Sequence, residues 1–284
     1  MFRKQLAVAG HSQPLAWWLG RLASGSGLLL GGWLIYQSAV NIVALDNWSF
    51  WSAWRVGLYS RPWPESHTYV YPPALAQAIW PLTQLSWPVF HAVWTVILGV
   101  ALLIAAGPAV GGWALALLPF ALKDIREGQI HALFALAIVL GFRYPGAWSF
   151  VLLTKVTPGI GLLWFAVRRE WRSLAVAAGA TAVMGIASFL LAPDLWLQWF
   201  GTVGPALRAP NPYVDYSLPI LVNVPFFVRL LVAAALVGWG ARANHRWVVP
   251  VAVFLALPAV WVGGLTVLLV IPRLSPRVLS PGTA

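Results

Sequence analysis

The chain has 284 residues, of which 60% are hydrophobic and 9% charged, with a mean hydropathy of +0.78. Soluble globular domains carry roughly 25% charged residues, so this composition excludes them and describes a polytopic membrane protein. The absence of cysteine excludes disulfides and thiolate metal sites, and the net charge of +11 does not indicate a nucleic-acid partner, because the basic residues stand in short clusters between apolar runs.

The first apolar run, about Leu22–Leu45, follows Arg3, Lys4 and Arg21. It is too long for a signal peptide and lacks a small-residue cleavage pattern, so it reads as an uncleaved anchor with a cytoplasmic N-terminus. Gly27 and Gly31 within it have the spacing of close helix packing. Asp46 then falls on the outer face. Further runs cover about Trp87–Ala106, Val110–Leu122, Ile130–Phe142, Trp148–Val167, Trp171–Leu191, Leu218–Gly240 and Trp247–Ile271. Trp17, Trp18, Trp148, Trp171 and Trp247 mark the ends of such runs, where indole rings settle at headgroup level.

Several runs are shorter than the ~20 residues a spanning helix needs. The clusters Arg168–Arg172, Arg242–Arg246 and Arg273–Arg277 are the cytoplasmic markers. Placing all three inside requires Pro73–Leu85 to be an interfacial helix on the outer surface and two runs to break, at Lys155–Pro158 and at Pro258–Trp261. A buried ammonium and a proline both disfavour an uninterrupted span. Asp46, the segment Lys123–His131, Lys155, a long loop Pro193–Ser217 and the Pro258–Trp261 turn then face one outer cavity. The competing topology keeps Trp148–Val167 as one helix. The expected fold is all-α, a membrane bundle of about 8–10 spanning or half-spanning helices in one domain over 1–284.

The chain holds only 7 Asp and Glu residues, so a carboxylate directly after a bilayer span is not explained by solubility. The segment from Asp46 to Tyr59 reads as a partly helical surface element anchored by tryptophan, which accounts for its aromatic residues but not for Asp46. In that position Asp46 could take the proton of a sugar hydroxyl as a base. Arg55 and Arg61 match either a lipid-linked phosphate or ordinary headgroups. Tyr69-Val70-Tyr71-Pro72-Pro73 closes the loop in extended backbone, with Pro73 opening a helix. Lys123, Asp124, Arg126, Glu127, Gln129 and His131 form either a solvated loop or a polar site entering a helix at Gly128-Gln129. His131 has no second His or Cys at ligand spacing, so no metal is expected. Lys155 within an apolar run is a functional candidate or a snorkelling side chain, and Lys155 with Arg229 could stabilise a polyprenyl phosphate leaving group.

The order of these motifs resembles glycosyltransferase family 87, the integral membrane transferases of GT-C fold that use polyprenyl-phosphate sugars. The resemblance rests on Asp46 followed by Trp54-Arg55-Val56-Gly57-Leu58-Tyr59, then Tyr71-Pro72-Pro73 with Pro81-Leu82, Gly128-Gln129-Ile130-His131, Lys155-Val156-Thr157-Pro158 with Arg168-Arg169, and Pro258-Ala259-Val260-Trp261. It implies transfer of a hexose (mannose first) or a pentose from a polyprenyl phosphate to a lipid or glycan acceptor, on the extracytoplasmic face of a bacterial plasma membrane. Asp46 takes the family's base position, Gln129 its Gly-Gln glutamine and Lys155 its lysine before proline. Lys155, Arg55, Arg61 and Arg229 are the donor-phosphate candidates; Gln129, His131, Tyr59, Tyr71 and Trp261 are the sugar or acceptor candidates; no cofactor is implied. His131 stands where the family often has Asn, and the Pro-x-x-Trp turn lacks the usual Ser and following His. The alternatives are a lipid-linked substrate transporter, against which the lack of paired repeat halves speaks, and a non-catalytic partner of a glycan enzyme.

Overall fold

The computed structural model describes residues 46–61, 65, 67–107, 112–208, 218, 221 and 223–275. The expected anchor Leu22–Leu45, with Arg3, Lys4, Arg21, Trp17 and Trp18, lies outside them, as does Arg277. The described residues form helices without β-strands: α1 (Asp46–Val56), α2 (Pro73–Thr83), α3 (Trp87–Ala106), α4 (Leu118–Arg126), α5 (His131–Gly141), α6 (Trp148–Leu152), α7 (Leu163–Val167), α8 (Trp171–Leu191), α9 (Pro193–Arg208), α10 (Phe226–Ala243), α11 (Val248–Leu255) and α12 (Ile271–Leu274). Short 3-10 segments at 112–117, 145–147, 157–162 and 262–270 extend several of them.

Among the described residues three helices, α3, α8 and α10, are long and apolar enough to cross a bilayer. At about 1.5 Å per residue a helix of ~20 residues matches the ~30 Å hydrocarbon layer. Helix α8 buries little beyond Ala177 and Ser188 and turns Val183, Leu190 and Leu191 outward. In water so continuous an apolar face would drive association, whereas in a bilayer it meets lipid.

The shorter helices come in pairs that turn back on themselves. One hairpin runs up α4, turns at 127–130 and returns in α5. A second runs up α6, turns at 153–156 and returns through 157–162 and α7. A third runs up α11, turns at 256–261 and returns through 262–270 and α12. Their tips meet. The Thr157 hydroxyl donates to the Ala256 carbonyl at 2.7 Å, joining the second tip to the third. Gly263 lies so close to Asp124 that a Cβ there would sit 2.4 Å from its Oδ1, joining the third tip to the first. Arg229 of α10 donates to the carbonyls of Leu255, Leu257 and Pro258 at 3.0, 2.8 and 3.1 Å, so backbone groups freed by the break find partners within the protein, as they must at membrane depth. The far ends of these hairpins carry Arg168, Arg246 and Arg273, while Lys123, Arg126 and Lys155 stand at or beside the tips. Arg168 donates to the Ala241 carbonyl at 3.1 Å, Arg246 sits 5.2 Å over the Phe142 ring, and Arg273 donates to the Ala105 carbonyl at 3.0 Å.

The runs Trp148–Val167 and Trp247–Ile271 therefore break where expected, and no single helix spans Trp148–Val167. Three expectations are corrected. Pro193–Ser217 was expected as a loop, yet Pro193–Arg208 is helix α9. Pro193 opens it, Asp194 favours its N-terminal turn, and Leu195, Trp196, Trp199 and Phe200 fall on neighbouring faces. Within the run Leu218–Gly240 the long helix starts at Phe226, directly after Pro225, whose ring lacks an N–H and suits the start of a helix rather than its interior. In Lys123–His131 only 127–130 is non-helical: α4 continues through Arg126 and α5 starts at His131.

Candidate active site

The N-terminus of α1 is held against the first hairpin tip. The backbone N–H groups of Asp46 and Asn47 both donate to the Glu127 carbonyl, at 2.8 and 3.4 Å, which satisfies donors that a helix start leaves open. The Asn47 side-chain amide donates to Nδ1 of His91 on α3 at 2.7 Å, and the Trp94 indole N–H donates to the Gly128 carbonyl at 2.9 Å. Gly128 has φ +73°, and a Cβ there would lie 2.4 Å from Asn47. Only glycine fits both the left-handed backbone and the contact. Behind this joint Phe50 packs edge-on against Tyr69, Tyr71 and Trp94, with ring centres 6.0, 5.5 and 5.8 Å away. Asp46 is thus fixed by α3, the first tip and the Tyr69–Tyr71 strand of loop.

Beside it, Asp124 is fully buried at the end of α4 and accepts a hydrogen bond from His131 Nδ1 at 2.7 Å; the side chains are 0% and 2% exposed. Lys155, at the second tip, brings its ammonium within 5.4 Å of the Tyr71 ring centre. Asp46 keeps part of its surface open, yet the packed helices displace water around it, and its carboxyl is pushed up to about 7. Desolvation is the largest cause; the Lys155 charge opposes it, the Glu127 and Asp124 charges add to it, and Lys123 opposes it weakly. The Tyr71 hydroxyl is pushed well above its usual range by burial, and then by Asp46 and Asp124. Asp46, Tyr71, Asp124 and Lys155, from four separate segments, thus lie near enough to act on one another's charge. A carboxyl poised near neutrality beside a cation is the equipment of general-base chemistry on a substrate that leaves as an anion.

Of the candidates read from sequence, Asp46, Tyr71, Gln129, His131 and Lys155 come together. Gln129 is buried, and its backbone N–H donates to the Asp124 carbonyl at 3.0 Å. Tyr59 stands behind the group, its hydroxyl donating to the Tyr71 carbonyl at 2.8 Å. Trp261 ends the third tip, next to Val260, whose carbonyl accepts the Leu218 N–H at 3.0 Å. Arg55 is turned elsewhere: it donates to the carbonyls of Trp51 and Thr83 at 2.6 and 2.7 Å and stacks 3.6 Å over the Trp51 ring, clamping α1 to the C-terminus of α2. Arg61 lies in the loop after α1, partly exposed. Arg229 supports the third tip through the three carbonyls given above. Sequence reasoning passed over Asp124 as an individual residue. Its signal was an acid two positions after the end of an apolar run and seven positions before His131, across a turn containing Gly128. Among the described residues no three His, Asp or Glu side chains converge as metal ligands.

A family model, glycosyltransferase family 87, matches residues 69–274. No curated protein and no solved structure matches the chain. The matched stretch holds Tyr71, Asp124, Gln129, His131, Lys155, Arg229 and Trp261 and begins after Asp46, Arg55, Tyr59 and Arg61. With the match running through most of the chain and through every hairpin tip of the all-helical membrane bundle, the protein belongs to glycosyltransferase family 87 and is a membrane glycosyltransferase.

Proposed function

We propose that the protein moves a hexose, mannose first, or a pentose from a polyprenyl phosphate donor to a lipid or glycan acceptor, with Asp46 as the base. The observation that carries this reading is the meeting of Asp46, its carboxyl poised at about 7, with Lys155 at the joined hairpin tips. Asp46 takes the proton of the acceptor hydroxyl as its oxygen bonds to the anomeric carbon; the bond from that carbon to the phosphate oxygen breaks, and the polyprenyl phosphate leaves with the electron pair. Lys155 offsets the negative charge that develops there. Gln129, His131, Tyr71 and Trp261 line the same end of the bundle and contact the sugar or acceptor. The basic residues at the far ends of the hairpins support a cytoplasmic assignment for that side, which puts the tips on the extracytoplasmic face of a bacterial plasma membrane, with a cytoplasmic N-terminus. The transfer uses no metal; chelation leaves the rate unchanged, and loss restored by a divalent ion would overturn that point.

The test is purified protein in liposomes with polyprenyl phosphate sugars and a panel of glycolipid acceptors, comparing wild type with Asp46→Asn. A positioned base contributes about 10²–10⁴-fold, so the variant should lose turnover on that scale while donor binding persists. Equal product from both proteins would remove Asp46 from the chemistry.

A further inference from the structure

The group at the tips contains a second carboxylate that the proposed transfer does not use. Asp124 is fully buried, hydrogen-bonded through one oxygen to His131 Nδ1 at 2.7 Å, and without a partner at Oδ2; His131 Nε2 is likewise buried without a partner. Buried polar atoms are nearly always paired, and each one left open costs about 1–3 kcal/mol. The contact with Gly263 is built around this acid, since any Cβ at that position would press on Oδ1 at 2.4 Å.

We propose that Asp124 is a positioning residue of the transfer, acting on the base Asp46 through its charge and on His131 through their hydrogen bond. This rests on the reading of Asp46 as base. A fixed negative charge next to a carboxylate disfavours its ionised form, so Asp46 binds the acceptor proton more firmly than a lone carboxylate would. The groups that face Asp46 are Lys155 from the second tip, Glu127, Asp124 and Lys123 from the first, and Tyr71 from the loop before α2. Lys155 and Lys123 favour the charged form; Asp124 and Glu127 oppose it. Asp124 differs from Glu127 in its partner. Glu127 is paired with Lys123 in a half-exposed ion pair, whereas Asp124 is sealed from water. Its carboxylate also accepts the Nδ1 proton of His131, which fixes the orientation of the ring and leaves Nε2 without a partner in the protein, the same device by which an aspartate orients a catalytic histidine elsewhere.

The experiment is the pH dependence of kcat/KM for wild type, Asp124→Asn and His131→Gln in liposomes, with Asp46→Asn as the reference. Asparagine keeps the shape of Asp124 and removes its charge. The rise of activity with pH, which follows ionisation of Asp46, should move down by about one pH unit in Asp124→Asn, and the plateau kcat should fall about tenfold with donor KM unchanged. His131→Gln keeps a donor for Asp124, so it should fold, leave the rise near its wild-type position and lower kcat. Adding Asp124→Asn to His131→Gln should still move the rise down by about one pH unit, because the charge acts on Asp46 directly, and should lose less kcat than the product of the two single losses, because the hydrogen-bonded part is shared. An unmoved rise in Asp124→Asn, or kcat losses that multiply in full in the double variant, would overturn the proposal. If Asp124→Asn does not fold, a His131→Gln variant whose donor KM rises while kcat is kept would overturn it equally. Full turnover in Asp46→Asn would instead sink the underlying assignment of the base.

Discussion

Gly128→Ala probes the joint on which the site depends. The substitution places a Cβ 2.4 Å from Asn47 Cβ and Cγ on a backbone at φ +73°. The left-handed conformation alone costs a non-glycine residue about 1–2 kcal/mol. The collision cannot be relieved by rotating a flexible tip, because Asn47 meets the new methyl near its backbone. Asn47 must shift, which breaks its hydrogen bond to His91 and strips the Glu127 carbonyl from the start of α1. Leaving buried partners open adds about 1–3 kcal/mol, for a total of about 2–5 kcal/mol. Thermal unfolding in detergent should show a midpoint lowered by roughly 10 °C, at about 2–4 °C per kcal/mol for a chain of this size. Transfer measured below that midpoint should fall about 100-fold, since a shift of the base by ~1 Å is enough to lose it. Gly179→Ala is the control: it sits on α8 with nothing within 4 Å of the new Cβ, and it should leave both quantities unchanged or slightly raised. A Gly128→Ala protein with the wild-type midpoint and turnover would refute the idea that this glycine locks Asp46 in place.

Other expectations follow from the charges and the tips. Because the folded-state value of Asp46, about 7, lies above its ordinary 3.8, the folded protein binds more protons than the unfolded chain between those values. Stability should therefore fall as pH rises from about 4 to about 7; roughly 3 units at about 1.4 kcal/mol each set an upper bound of about 4 kcal/mol, lessened by the partial exposure of the side chain. Unfolding of Asp46→Asn followed against pH should lack this loss and exceed wild type at pH 8. Lys155→Gln removes the charge that most favours ionised Asp46, so the pH at which transfer switches on should rise, the opposite direction to Asp124→Asn. Arg229→Met leaves the carbonyls of Leu255, Leu257 and Pro258 without donors and should destabilise the protein by about 3 kcal/mol, read as a lowered unfolding midpoint.

Much of this arrangement was legible in the chain because it follows from local physics. An ammonium and a proline in an apolar run forbid an ordinary span, and Lys155-Val156-Thr157-Pro158 does break it. Asp46 stood out because charge is scarce here. What was not legible depends on contacts distant in sequence. The helix α9 was hidden behind Pro193, Gly201, Gly204 and Pro205, residues that suit loops equally well. Its tie to the bundle, the Trp199 indole donating to the Val70 carbonyl at 3.1 Å, links residues 129 positions apart. Arg55 and Arg229 carry the charge of phosphate ligands, yet their N–H groups meet backbone carbonyls that sequence alone does not bring near. Asp124 looked like one member of a solvated charge cluster until the third hairpin was laid over it.

The use of hairpin tips explains why these functions share one end of the molecule. A full helix satisfies its own backbone, so it can cross lipid but offers no polar groups at depth. A half-length hairpin exposes the last carbonyls and first N–H groups of two short helices, and these must be met by neighbours. Thr157, Arg229 and the Glu127 carbonyl meet them by joining each tip to another element. The same turns that need external partners therefore bring Asp124 and Lys155 beside Asp46 within an apolar bundle. Each tie then carries two loads. Cutting the Thr157 link or the Arg229 link loosens a break in the membrane region and displaces Lys155 or Trp261 relative to Asp46, so a substitution remote from the sugar should lower kcat as well as the unfolding midpoint.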